Sequence, residues 1–155
     1  MTARKLDDHD RAILRLLQAD AARPQREIAE AVHLSAPAVQ RRIARMSREG
    51  VIRRVAAVVD PDAVGLGVMA VVDLSLVDDR SPTTAAAKAL FRAAPEVQQC
   101  YWVAGSAGFV MVVVAPSLAA YERITARLFA DNPLVRSYSS KIVLDRVKVG
   151  LDLEV

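Results

Sequence analysis

Six arginines lie between positions 41 and 54: Arg41, Arg42, Arg45, Arg48, Arg53 and Arg54. A guanidinium is a rigid fork of donors that fits a phosphate or the major-groove edge of guanine, and a glutamine amide such as Gln40 fits that of adenine. The chemistry open to this stretch is recognition of a nucleic acid. Spacing decides whether these groups act together. Read as a helix, Leu34 to Ile52 places Val39, Ile43 and Met46 on one apolar stripe and Arg41, Ala44, Arg45 and Arg48 on the other side. Ser35 suits the N-cap, Pro37 the first turn, and Gly50 the left-handed residue just past the end. A greasy back, a basic front and a small N-terminus are what a helix needs to enter a DNA major groove. Arg41 and Gln40 are the candidates for base edges. Arg45, Arg48, Arg53 and Arg54 are those for phosphates. Ser35, Ala36 and Pro37 allow close approach at the helix start. Arg42 flanks the apolar stripe and suits a structural role equally well.

A helix of this kind needs a scaffold. Arg26 to Val32 places Ile28, Ala29 and Val32 at helical spacing, and a short break at His33–Leu34 separates it from Ser35. Two short helices joined by a tight turn form a helix-turn-helix. His33 falls in that turn, where positive φ suits it better than a β-branched residue. Leu6 to Asp20 reads as a buttressing helix, with Asp7 as N-cap, Asp10 three residues on, and Ile13, Leu14, Leu16 and Leu17 inward. His9 lies on its polar side with no carboxylate or cysteine constellation around it. Neither histidine has a second ligand at metal-site spacing.

Charge supports the division. Up to Asp60 twelve Lys and Arg face eight Asp and Glu, whereas the whole chain carries only +3, so the remainder is slightly acidic. A basic footprint confined to one segment fits a nucleic-acid module joined to a neutral one. The hydrophobic content of 53% points to buried subunit contacts. No apolar run approaches the roughly 20 residues that span a bilayer, and the N-terminus lacks a signal-peptide core. With Cys100 alone, a reducing cytoplasm is expected, and the residue reads as a small buried apolar group.

Val55 to Val59 is β-branched and reads as a strand, from which Arg53 and Arg54 would form a small wing. Asp60-Pro61-Asp62 and Gly65-Leu66-Gly67 break the chain. The organisation expected is residues 1–52 as a helix-turn-helix domain, 53–66 as strand and linker, and 67–155 as a second domain. In the latter, strands are expected at Val68–Val77, Val97–Val103, Phe109–Ala115 and Val135–Leu144. Helices follow Ser81-Pro82, with Ala85, Leu90 and Phe91 inward, and Pro116-Ser117, with Leu118, Tyr121, Ile124 and Leu128 on one face. The order is the ferredoxin-like βαββαβ. Helices cover one sheet face and leave the other bare, around Met69, Val71, Tyr101 and Val103, as a surface for another subunit. The fold class is α+β, a winged helix-turn-helix followed by a ferredoxin-like domain.

The runs LDDHDRAILRLLQAD, EIAEAVHLS and RRIARMSREGVIRR, followed by βαββαβ, resemble the Lrp/AsnC ("feast/famine") family over essentially the whole chain. The resemblance implies a transcriptional regulator that binds double-stranded DNA, dimerises through its C-terminal sheets, often forms octamers, and binds an amino acid or related metabolite between those domains. It implies no other cofactor. The implied effector site is the loop Gly105, Ser106, Ala107 and Gly108, preceded by Tyr101 and Trp102, with Ser137 and Ser139 opposite. For the two aromatics, packing is the competing role. The family typically has Gly-Asp-x-Asp in this loop. Here Gly105 matches, but Ser106 and Gly108 stand for the two acids that help hold the ligand's amino group. Sirohaem decarboxylases share the architecture and form the alternative, an enzyme. Their proton chemistry calls for histidine, and both histidines here lie in the N-terminal helices.

Overall fold

Asp7 starts the first helix, and its side chain shows why. Its carboxylate accepts from the Asp10 N–H at 2.8 Å, and the Asp10 carboxylate accepts back from the Asp7 N–H at 3.3 Å. This reciprocal capping box opens α1, Asp8–Ala19. The computed structural model describes residues 6–105 and 108–155. The chain divides into two units, residues 1–58 with 148–155, and residues 59–147.

In the first unit α2 spans Gln25–Ala31 and α3 spans Ala36–Arg48. Between them His33 has φ 55°, as its place in the turn predicts. The turn closes through His33 N–H to the Glu30 carbonyl and Leu34 N–H to the Ala29 carbonyl at 2.9 Å, the pair of bonds that satisfies a helix C-terminus. The same pattern ends α3: Gly50, at φ 77°, bonds to Ser47, and Val51 bonds to Met46. Ile13, Leu14, Ile28, Ala29, Val32, Val39 and Met46 are buried together, with Leu16, Leu17 and Ile43 packed against them.

Two findings differ from the sequence reading. Residues 53–60 form no strand, so Arg53 and Arg54 are exposed on an unpaired segment and no wing is built. Val55 and Val58 are 71% and 97% exposed. β-propensity supplies no pairing strand, and among the described residues this segment has none. Residues 148–155, expected from sequence within the second domain, group with the first unit. The Gln18 amide donates to the Leu153 carbonyl at 2.9 Å and accepts from its N–H at 2.7 Å, while Val155 packs on the helical core.

The second unit has β1 at Val68–Leu76, α4 at Ser81–Ala93, β2 at Val97–Trp102, β3 at Phe109–Ala115, α5 at Leu118–Thr125 and β4 at Val135–Ile142. Ser117 caps α5 by accepting from the Ala120 N–H. The helix then widens into a π turn at Ala126–Ala130 that buries Leu128 and Phe129. The sheet is antiparallel in the order β2-β3-β1-β4, as βαββαβ requires. Ala70, Val72, Leu74 and Leu76 of β1 and Phe109, Met111, Val113 and Ala115 of β3 face the helices and are buried. Phe91 of α4 meets Phe109 edge-on, with ring centroids 5.2 Å apart.

The inward faces of the helices are shifted from those expected. On α4 the buried residues are Thr84, Ala87 and Phe91, while Ala85 and Leu90 are exposed. On α5 Leu118 is exposed, and Tyr121, Ile124 and Leu128 are buried. In an alanine-rich helix the apolar stripe is nearly degenerate, so the largest side chain, Phe91, sets the rotation. Cys100 is exposed on edge strand β2 rather than buried. Partial desolvation still holds its thiol above the ordinary range.

Candidate nucleic-acid interface and effector site

Helix α3 packs through Val39 and Met46, both fully buried. The hundred-degree step per residue then aligns Pro37, Arg41, Ala44 and Arg48 in one row on the far side, with Gln40 beside them. All five are exposed. Ser35 occupies the N-cap, but its hydroxyl makes no capping bond. It is exposed at the end of α3 that carries unpaired N–H groups, next to Ala36, where an anion is favoured.

The two remaining arginines of α3 turn toward α1. Arg42 donates through Nη1 to Asp7 at 2.7 Å and to Asp10 at 2.7 Å. Arg45 donates through Nη2 to both Asp10 carboxylate oxygens at 2.6 Å. Asp10 is 2% exposed. It is thus the common anchor of α1's capping box and α3's inner arginines. A buried carboxylate persists only when paired in this way. The backbone N–H of Asp10 and then the Arg42 guanidinium hold the Asp7 carboxyl below its ordinary value, and the same pairing raises Arg42. The Arg45 Nε is buried without a partner among the described residues. Arg45 therefore stands apart from the exposed row as a brace between helices, and Arg42 takes the structural role. The signal for this was available: Asp7 and Asp10 sit at capping spacing, and Arg42 and Arg45 sit three residues apart on the neighbouring helix.

The sheet carries the second candidate site. On the face away from the helices, β1 presents Met69, Val71, Asp73 and Ser75, and β3 presents Val110, Val112 and Val114. Asp73 pairs directly with Ser139, and Ser75 with Ser137, across β1 and β4. At the β2–β3 end of this face lies a cavity of about 430 Å³, lined by Asp73, Ser75, Val110, Ser137, Ser139 and the loop from Val103 to Gly105. Of the residues expected from sequence, Gly105, Ser137 and Ser139 are brought together there. Tyr101 and Trp102 are not. Tyr101 donates to Gln99 at 2.8 Å. Trp102 packs on the helix side, 4.7 Å from the Phe109 ring and under the Lys88 ammonium at 5.2 Å. Trp102 thus packs within the sheet domain, whereas Tyr101 is exposed on the edge strand. Ser106 and Ala107 lie outside the described residues. Gly108 is a packing residue: a Cβ there would meet the Trp102 ring at 3.0 Å, and its N–H and carbonyl bond to Leu74 and Val103. A side chain at 108 would press on the Trp102 ring, which must give by a few tenths of an ångström to admit it. Sequence reasoning missed Asp73, which pairs with Lys141 of β4. The clue was a carboxylate breaking the outward row of an apolar strand.

Residues 6–47 match the AsnC-type helix-turn-helix domain, and residues 69–152 match the Lrp/AsnC ligand-binding domain. The chain belongs to the Lrp/AsnC family. As a member it is a DNA-binding transcriptional regulator with a ligand-binding domain. It is 36% identical over 146 residues to the HTH-type transcriptional regulator y4tD of Sinorhizobium fredii, which covers 94% of this chain and 86% of that one. An AsnC-family regulator from Agrobacterium tumefaciens superposes with a TM-score of 0.89 at 30% identity, covering 96% of each chain. A transcriptional regulator of Neisseria meningitidis, solved as a complex with L-methionine, gives a TM-score of 0.89 at 26% identity over 96% of each chain. Among the described residues no helix of this Lrp/AsnC protein is long and apolar enough to cross a membrane, and no cluster of three metal-ligating side chains occurs.

Proposed function

We propose that this regulator reads an operator in the cytoplasm by laying α3 in the major groove. Arg41 and Gln40 meet base edges, and Arg48, Arg53 and Arg54 meet phosphates. Ser35, Ala36 and Pro37 bring the helix start close to the backbone. The observation that carries this reading is the exposed row Pro37, Arg41, Ala44 and Arg48, opposite the fully buried Val39 and Met46. Arg45 acts behind that row, through Asp10, as a positioning residue. The apolar face of Met69, Val71, Val110, Val112 and Val114 supports assembly into homodimers, and further into octamers, through the C-terminal sheets. A dimer presents two α3 helices about one helical turn of DNA apart and so reads a pseudo-palindrome.

The effector in this reading is an amino acid or related metabolite held in the sheet-face cavity. The L-methionine complex of the Neisseria relative supports that class. The effector acts by binding one assembly better than another. The domain matches favour this regulator reading over a decarboxylase of the same architecture.

The test is binding to duplexes selected from a random library by the purified protein, measured over a salt series. Arg48→Ala should weaken all sequences alike and lower the slope of log K against log salt by about 0.9. Arg41→Ala should weaken the selected sequence by tenfold or more and relax preference at one base pair, as loss of a bidentate purine contact worth about 1–3 kcal/mol requires. Unchanged selectivity in Arg41→Ala overturns the assignment.

A further inference from the structure

We propose that Asp73 and Lys141 form a charge pair built to receive the two ends of a zwitterionic amino acid, with Asp73 taking the ammonium. This inference rests on the amino-acid reading of the effector and adds the residues that select it. The carboxylates expected at 106 and 108 are Ser106 and Gly108 in this chain. Asp73 is a carboxylate lining the same cavity from a different element, the middle of β1. Its side chain is 36% exposed and pairs with the Lys141 ammonium, itself 61% exposed.

Three observations converge on this pair. First, the cavity is an open groove of about 430 Å³, large enough to seat a small ligand. Second, its polar groups are ordered by the ladder. Asp73 lies opposite Ser139 and Ser75 opposite Ser137, so one carboxylate and three hydroxyls share one patch, with Val110 and Val103 as the apolar wall. Third, the cation already on Asp73 comes from the protein's own flexible lysine. An incoming ammonium can replace Lys141 on Asp73, and the displaced Lys141 can then meet the incoming carboxylate. The exchange leaves the number of ion pairs on the protein unreduced and buries no uncompensated charge. A keto acid brings only the anion and leaves the Asp73–Lys141 pair competing for Lys141. An amine brings only the cation and leaves Lys141 displaced. Only a molecule carrying both charges completes the exchange, and Val110 and Val103 favour an apolar side chain on it.

The experiment is a calorimetric titration of the full chain with the proteinogenic L-amino acids, followed by the N-acetyl derivative and the carboxamide of whichever binds. These are repeated on Asp73→Asn and Lys141→Met. Asp73 and Lys141 share the sheet face proposed for assembly, so the melting temperature and sedimentation of both variants are measured beside the titrations, and the comparison is made on variants that melt and assemble as the wild type does. The expected result is binding to the wild type, weakening by tenfold or more on N-acetylation, and a similar weakening in Asp73→Asn. Lys141→Met should erase the preference for the amino acid over its carboxamide. Equal binding to wild type and Asp73→Asn overturns the inference while leaving the amino-acid effector in place. Binding of no amino acid to the wild type overturns the effector reading and this inference with it.

Discussion

Removing the Asp10 carboxylate should loosen α3 on α1, and the size of the effect follows from its contacts. Asp10 receives Nη1 of Arg42 at 2.7 Å and, on both oxygens, Nη2 of Arg45 at 2.6 Å. A hydrogen bond to a charged group contributes about 1.5–3 kcal/mol, so two guanidinium partners set an upper range of about 3–6. The arginine side chains are 24% and 27% exposed and can find water once released, and Arg42 keeps Asp7. About 2–3 kcal/mol therefore remains for Asp10→Ala. In a domain of this size that corresponds to a drop on the order of 10 °C in the helix-turn-helix melting transition. The companion variant Arg45→Met separates two roles that sequence alone confuses. A brace predicts a lower melting temperature with the salt slope of DNA binding unchanged. A phosphate contact predicts normal melting with the slope reduced by about 0.9. Differential scanning calorimetry and a salt series on the same preparations decide between them. Normal melting with a reduced slope in Arg45→Met would refute the bracing argument.

Further expectations follow from single positions. His33 holds φ 55° in the helix-turn-helix turn, so His33→Val should cost about 1–2 kcal/mol of stability, whereas His33→Gly should melt at or above the wild type. The Asp7 carboxyl is held below its ordinary 3.8 by the Asp10 N–H and Arg42. Its contribution is complete above that ordinary value and is lost as pH falls through the lowered one, so Asp7→Asn should flatten the acid limb of stability below about pH 4. A Cβ at Gly108 meets Trp102 at 3.0 Å, so Gly108→Asp should cost about 1–3 kcal/mol by overpacking. In a Trp102→Leu background most of that penalty should vanish, a non-additivity that thermal melts of the four proteins would measure. Val112→Lys, on the bare sheet face, should shift the assembly toward smaller species in analytical ultracentrifugation.

What could be read from sequence was local. Asp7 and Asp10 at capping distance, His33 and Gly50 at left-handed positions, and the unbroken apolar run of β3 carry their structural meaning within a few residues, and each formed as expected. The misses depend on groups far along the chain. Val55–Val59 has the composition of a strand but pairs with no strand among the described residues. Residues 148–155 join the helical unit because Gln18 offers an amide that binds both backbone groups of Leu153, and nothing in the tail's own residues announces this. Arg41 and Arg45 are the same residue one helical turn apart. Only the position of Asp10 on another helix makes one exposed and the other a brace.

The same dependence on partners bears on the proposed effector site. In the loop, Ser106 and Gly108 offer an ammonium no carboxylate. The antiparallel register brings Asp73 to the same cavity from β1, and β4 supplies Ser137 and Ser139 to it and Lys141 as the partner of Asp73. A side chain at Gly108 presses on the Trp102 ring, which packs on Phe109 and lies under the Lys88 ammonium. The tight Gly108–Trp102 packing and the carboxylate on the strand are therefore parts of one arrangement. With Trp102 packed against Gly108, the proposed site draws the charge that selects an amino group from the sheet floor, through Asp73. Restoring the acid at 108 in the Trp102→Leu background should then rescue ligand binding to Asp73→Asn only if the two carboxylates reach the same ammonium. Failure of that rescue, with both variants folded, would place the ammonium away from the loop and on β1 alone.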